Sequence, residues 1–245
     1  MDQPASSPPP RRWVVTGASR GIGRAIAEHA LAAGDRVCLL ARGAATLDLP
    51  AMSIGNAMPL AADVTEPEQL QDALAQVAAA WGGIDVVINS AGLHRGGKVD
   101  SLAMADWDAT LAANLTGPLN VVRAALPHMT HGGSIVNVGA VVGFRGFPGD
   151  SCYGASKAGL AGLTHVMAAE LARRGIRVNL VVPGFVMTDM TSGISDRARD
   201  AIVAKVPLGR MGEPGEIAEV CFWVAGSTYM TGSTVFTDGG LMCAL

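Results

Sequence analysis

The sequence predicts a doubly wound α/β fold, with seven parallel strands in one sheet and helices on both faces. Three observations predict it. Short unbroken apolar runs recur along the chain, as strands buried on both faces require. Stretches with apolar residues at helical spacing lie between them, and a glycine-rich turn closes the first run and opens the first helical stretch. Strands joined by helical crossovers make a parallel sheet, because each right-handed crossover lays its helix against a face. A chain of 245 residues, 49% hydrophobic and 16% charged, buries enough core to hold one domain without a disulfide or a structural metal.

Residues 1–11, with Pro4, Ser6, Ser7 and Pro8 to Pro10, read as a disordered arm ahead of a single domain over 12–245. Residues 13–16 are a first strand, and 22–33 a helix with Ile22, Ile26, Ala30 and Ala33 at helical spacing, stopped by Gly34. Residues 37–41 and 58–62 are further strands. Thr65 followed by Glu68 reads as a capping box that opens a helix running to Trp81 and ending at Gly82 and Gly83. A strand over 84–89 follows, then a long helix over 103–129 bent near Pro118, a strand over 135–138 and a helix over 153–174. A strand over 177–182, a helix over 213–225 behind Pro214 and a strand over 234–237 complete the sheet. The stretch 184–210 lacks a clear period and reads as a mobile lid.

The 18 Lys plus Arg against 21 Asp plus Glu give a net charge of -3, with no basic cluster of the kind that tracks phosphates, so a nucleic-acid partner is not expected. No apolar stretch reaches the ~18 residues of a membrane span and the first ten residues lack the apolar core of a signal peptide; the expected location is the cytoplasm. Cys38, Cys152, Cys221 and Cys243 are too scattered for a metal or redox motif and read as free thiols. His128 and His131 have no Cys or carboxylate companions, and no metal is expected.

The first strand ends in Thr16-Gly17-Ala18-Ser19-Arg20-Gly21-Ile22-Gly23, at a predicted helix start. Glycines let the backbone approach a pyrophosphate, whose charge meets free N–H groups and the positive end of the helix dipole. The loop therefore reads as a dinucleotide site, with Gly17, Ser19, Arg20, Gly21, Ile22 and Gly23 at the cofactor. Arg42, after the second strand, stands where a carboxylate would repel a 2'-phosphate; with Arg20 it selects NADP(H) over NAD. Asp63, followed by Val64 at the end of the third strand, either accepts a hydrogen bond from the adenine amine or caps the next turn.

Tyr153 is one of two tyrosines, and Lys157 is one of only three lysines, with Lys98 and Lys205. Four residues apart on a helix they share one face. A phenol titrates near 10, and a partly buried ammonium stabilises its phenolate enough for acid–base work near neutrality.

With these residues the chain resembles the short-chain dehydrogenase/reductase family, Rossmann-like in fold, in the subgroup of ketoacyl and polyketide ketoreductases. The resemblance covers residues 12–240 and rests on TGASRGIG, NSAG at 89–92, NLTG at 114–117, YGASK at 153–157, PGFVMT at 183–188 and TDGG near the end. It implies that Tyr153 donates a proton to a carbonyl oxygen as NADPH delivers hydride, that Lys157 holds the nicotinamide ribose and lowers the Tyr153 pKa, and that Asn114 anchors a water in the proton relay. It further implies that Asn89, Ala91, Gly92, Pro183, Gly184, Val186 and Thr188 line the cofactor. A homotetramer built through the two long helices and the C-terminal segment is implied as well.

Two positions depart from the family pattern. Ser90 replaces the second Asn of the usual NNAG, and Ala140 stands thirteen residues before Tyr153, where the resemblance implies a catalytic Ser. Losing one preorganised donor of this kind costs about 10² to 10³ in rate. Ser151 or another nearby donor takes over, the substrate polarises its own carbonyl through an internal hydrogen bond, or catalysis is lost. The second account is favoured, for a ketone flanked by phenol or quinone oxygens. The substrate loops hold Ala140, Val141, Phe144, Phe147, Ser151, Phe185, Met190 and Ser192, which suggest an apolar cleft. Without a basic cluster beyond Arg145 to receive a carrier, the expected substrate is a free polycyclic aromatic polyketide, of angucycline type. His94 reads as a solvent-facing loop residue in preference to a substrate contact. The rival reading is a catalytically silent dinucleotide-binding sensor or scaffold; reduction of an enone ranks last, since the resemblance implies a wider Tyr–Lys spacing for that reaction.

Overall fold

The computed structural model describes residues 9–43 and 55–243. The sheet runs β3-β2-β1-β4-β5-β6-β7, all neighbours parallel, with β1 Arg12–Thr16, β2 Arg36–Ala41, β3 Ala57–Ala61, β4 Ile84–Asn89, β5 Met129–Val138, β6 Arg177–Pro183 and β7 Thr234–Thr237. Side chains alternate across it, and both faces of its central strands are covered, which is why those strands are mostly apolar. In β1, Val14 points into one core with Leu70, Leu74, Val121 and Met167, while Trp13 and Val15 point into the other with Ile26, Ala30, Ile217 and Val224. The first layer holds α2 Pro67–Trp81, α4 Gly117–Ala125 and α5 Ser151–Leu171; the second holds α1 Gly21–Ala32 and α7 Pro214–Gly226. Among the described residues no helix is long and apolar enough to cross a membrane.

Most of the expected arm lies outside the described residues. Its last residue, Arg11, is tied down: the backbone N–H and the guanidinium both donate to Asp35, at 2.8 and 3.2 Å. The expected capping box does not form. Asp63 is the nearer acceptor, taking the Thr65 N–H and hydroxyl at 2.9 and 2.8 Å, and Pro67 at the first helical position sets the start of α2. The long helix is divided into α3 Met104–Leu111, a π turn over Ala112–Thr116 and α4. Its irregularity directly precedes Pro118, which has no N–H to continue the helical ladder and follows the i→i−5 bond from Gly117 N–H to the Ala112 carbonyl. β5 begins at Met129, earlier than its apolar run, because Met129 pairs with Ile84 across the register shift in β4. The 184–210 segment carries a short helix, α6 Asp196–Val203, capped by the Ser195 hydroxyl.

Charge is gathered at the amino ends of the strands. Arg12 holds Asp85 through its backbone N–H, Nε and Nη2 at 2.9, 2.7 and 2.6 Å, and the Thr130 hydroxyl adds a fourth donor at 2.8 Å, joining β1, β4 and β5. The carboxyl ends are left for the site.

Candidate active site

The carboxyl ends of the strands and the 184–210 segment enclose a cleft of about 830 Å³. At its centre the glycine loop turns from β1 into α1. Gly17 has φ 67°, and a Cβ there would stand 2.8 Å from Ala91 Cα. A Cβ on Gly23 would stand 2.4 Å from the Gly17 carbonyl oxygen, so no side chain fits between helix and loop. Thr16, fully buried, locks this turn to the next: its hydroxyl donates to the Ile88 carbonyl and accepts from Ser90 and Ala91 N–H at 3.1 and 3.0 Å. No side chain caps α1, so its first-turn N–H groups face the cleft without a side-chain acceptor. Arg20 and Arg42 line the mouth, both exposed, and Arg20 lies 3.6 Å from Asp189 of the 184–210 segment.

Tyr153 and Lys157 project into the same cleft from the first turns of α5. The Lys157 ammonium is buried, donates to the Val138 carbonyl at 2.8 Å and lies 5.7 Å from the Tyr153 ring centre. Burial lowers its pKa to about 8. The phenol moves the opposite way from the expected lowering: burial, with the nearby charge of Asp150, pushes Tyr153 up to about 12. Desolvation is the larger of the two effects, and the Asp150 charge acts in the same direction. Asn114, in the π turn, is fully buried behind the cleft wall. Its side chain accepts from Leu93 N–H at 2.7 Å and donates to the Leu93 carbonyl and the Ser156 hydroxyl at 2.8 and 3.1 Å, bracing the loop after β4 against α5.

Of the other residues singled out for the cofactor, Ser19, Gly21, Ile22, Asp63, Val64, Gly92, Pro183, Gly184, Val186 and Thr188 line the cleft, together with Gly17, Gly23 and Ala91. Asn89 does not: it is buried in the sheet and donates to Asn137 at 2.8 Å. Asp63 caps its own turn, as noted, while also lining the cleft. Ala140, Val141, Phe185 and Met190 border the substrate side. Phe144, Phe147, Ser151 and Ser192 lie outside it. Phe144 turns its edge to Phe236 and Phe147 to Phe185, because rings with apolar neighbours to hand pack there. Ser151 donates to the Gly97 carbonyl and Ser192 to the Asp189 carbonyl, so neither hydroxyl substitutes at position 140. Arg145 donates to the Leu241 carbonyl at 3.0 Å and does not line the cleft.

His94 is exposed on its loop, as the sequence reading has it, and takes a further position that the reading did not give. It lines the cleft, with Nε2 2.7 Å from Asp150 Oδ1 and its ring edge-on to Tyr153 at 4.9 Å between centres. The hydrogen bond to Asp150 raises its pKa against the opposing effect of burial. The partners are 56 residues apart in sequence, and no local spacing announces the pair.

A family model described as enoyl-(acyl carrier protein) reductase matches residues 17–242. Among curated proteins, carbonyl reductase family member 4 of Danio rerio is 41% identical over 94% of this chain and 98% of its own length. The 3-oxoacyl-(acyl-carrier-protein) reductase FabG of Thermotoga maritima is 38% identical over 94% and 96%. Among solved structures, a short-chain type dehydrogenase/reductase from Mycobacterium marinum superposes with a TM-score of 0.88 at 34% identity, covering 95% of this chain and 96% of the other. A blue fluorescent protein from a metagenomic library, solved in complex with NADPH, superposes with a TM-score of 0.86 at 32% identity over 94% and 97%.

Proposed function

The chain belongs to the short-chain dehydrogenase/reductase family, and from that premise we propose that it is an NADPH-dependent ketoreductase acting on a bulky polycyclic aromatic polyketide ketone. The observation that carries this reading is that a glycine loop with no room for side chains, a phenol and a buried ammonium line one cleft. Reduction of a carbonyl agrees with the names of the relatives, a carbonyl reductase and a 3-oxoacyl reductase, and with a Tyr and Lys four residues apart.

The donor set suits NADP(H). Gly17 and Gly23 admit a pyrophosphate against the backbone, the first-turn N–H groups of α1 carry the complementary dipole, and Arg20 and Arg42 offer two guanidiniums to a 2'-phosphate. When bound, this cofactor supplies the hydride that the carbonyl carbon accepts. Tyr153 gives its proton to the carbonyl oxygen; a phenol raised to about 12 is fully protonated at neutral pH and so acts as the acid in the reducing direction. Lys157 holds the ribose hydroxyls and offsets the phenolate that forms. Asn114 fixes the loop after β4 against α5, and with it the separation of Tyr153 from the glycine loop. Ala140, Val141, Phe185 and Met190 present an apolar wall suited to a fused aromatic skeleton. Assembly into a homo-oligomer belongs to the same reading, supported by the exposed apolar side chains Val166, Trp223, Tyr229 and Phe236.

The test is loss of NADPH absorbance with a panel of aromatic polyketones, using wild type and Tyr153→Phe. Turnover by wild type and a fall of at least ~10² in the variant, with NADPH affinity held within a few fold, is expected. NADPH binding without turnover on any ketone would support the sensor reading raised by Ala140.

A further inference from the structure

Position 140 lines the cleft as an alanine, and the hydroxyls of Ser151, the named substitute, and of Ser192 are turned to backbone carbonyls. A polar donor nevertheless stands beside Tyr153. His94 and Asp150 both line the cleft, and the imidazole meets the Tyr153 ring edge-on, at 82° and 4.9 Å.

The pair is held in place by more than its own contact. The 94–97 loop is stitched to the start of α5: Gly97 N–H donates to the Gly149 carbonyl at 2.7 Å, Ser151 Oγ to the Gly97 carbonyl at 3.3 Å, and Cys152 Sγ to the Arg95 carbonyl at 2.9 Å. Asp150 is the N-cap residue of α5, a position where a carboxylate ordinarily accepts from the helix's own N–H groups. Here it makes no such cap and takes His94 Nε2 at 2.7 Å instead. The neighbouring Arg95 is neutralised by Asp106 at 2.6 Å, so the pair is not simply part of a diffuse charged surface. A ring whose one nitrogen is fixed by a carboxylate has a defined orientation, and as an imidazolium it carries a second N–H on Nδ1.

We propose that His94, oriented by Asp150, is a catalytic residue of this chain: its Nδ1–H donates to the substrate's carbonyl oxygen, or to an oxygen next to it, in place of the hydroxyl that Ala140 lacks. This rests on the reductase reading above and replaces the substrate-supplied polarisation with a donor borne by the protein. It also narrows the substrate to ketones whose oxygen, bonded to Tyr153, is open on the His94 side.

The experiment is a double-mutant cycle on ketone-dependent NADPH consumption with wild type, His94→Phe, Ala140→Ser and the double variant, NADPH affinity being measured for each. Phe keeps the aromatic edge contact and removes the donor. His94→Phe should lose at least ~10² in kcat/KM with NADPH affinity within a few fold, as for removal of one preorganised donor. Ala140→Ser should restore at least ~10-fold in that background and change the wild type by much less. A role in packing alone would not be rescued by a hydroxyl on a different loop. If His94→Phe loses NADPH binding, His94→Leu, which also lacks a donor, replaces it in the same cycle. An active wild type whose position-94 variants are equally active, or are not rescued by Ser at 140, overturns the proposal. A wild type that binds NADPH and reduces no ketone overturns the reductase reading itself, and this inference with it.

Discussion

At the scale of single residues, the site is governed by desolvation. Lys157 and Tyr153 sit four residues apart in the same apolar surroundings, and each is pushed toward its neutral form: the ammonium down to about 8, the phenol up to about 12. The sign of the consequence differs for the two. Tyr153 keeps its proton across the working range, whereas Lys157 loses its charge as pH rises through about 8. If the cationic form is needed, turnover should fall on the alkaline side near pH 8, two units or more below an ordinary lysine. A pH–rate profile of His94→Phe, which lacks the imidazole's own titration, isolates that limb; a plateau extending to pH 10 would contradict the assignment. The residue types at 153 and 157 were legible in the sequence. The direction in which the phenol shifts was not, because it depends on how much water the fold removes.

At the scale of elements, two junctions make the cleft. The first is the turn from β1 to α1. Replacing Gly23 by Ala forces a methyl group against the Gly17 carbonyl, so the helix start must move away from the loop. Gly23→Ala should weaken NADPH at least tenfold in a fluorescence titration. The second is the π turn over Ala112–Thr116, where Asn114 ties the 93–95 loop to α5. Asn114→Ala leaves the Leu93 N–H and carbonyl unsatisfied and should lower unfolding stability by about 2–3 kcal/mol in urea. Strands 84–89 and 234–237 were predicted to the residue, since short runs rich in β-branched and apolar residues between glycine or polar neighbours have sharp ends. The π turn escaped the sequence reading because its residues continue a helical pattern on both sides; only the packing of α3 and α4 decides where the extra residue is absorbed.

At the scale of the whole molecule, the two ends of the sheet have different tasks. The amino ends are tied by Arg12, Asp85 and Thr130, and the carboxyl ends carry the cleft. Burial alone would raise the Asp85 carboxyl; the Arg12 hydrogen bonds and charge, with the Thr130 hydroxyl, hold it below the ordinary carboxylate value. A carboxyl lowered on folding adds stability above its unfolded pKa, and that contribution is lost as pH falls through the folded value. Asp85→Asn should therefore destabilise by about 2 kcal/mol at pH 7, and the gap to wild type should close on acidification below the usual carboxylate range. Because the substitution lies at the far end of the strands, NADPH affinity should be unchanged at temperatures where the variant is folded.

The sequence by itself determined the strand order, the parallel sheet, the glycine turn and the pairing of Tyr153 with Lys157. Each is set by periodicity, backbone freedom or spacing within a few neighbouring residues. Only the tertiary structure decided which loop side chains reach the cleft. It turned Phe144, Phe147 and Ser151 aside and brought His94 onto Tyr153 through Asp150, because contacts between separate crossovers depend on where the sheet sets the ends of its strands.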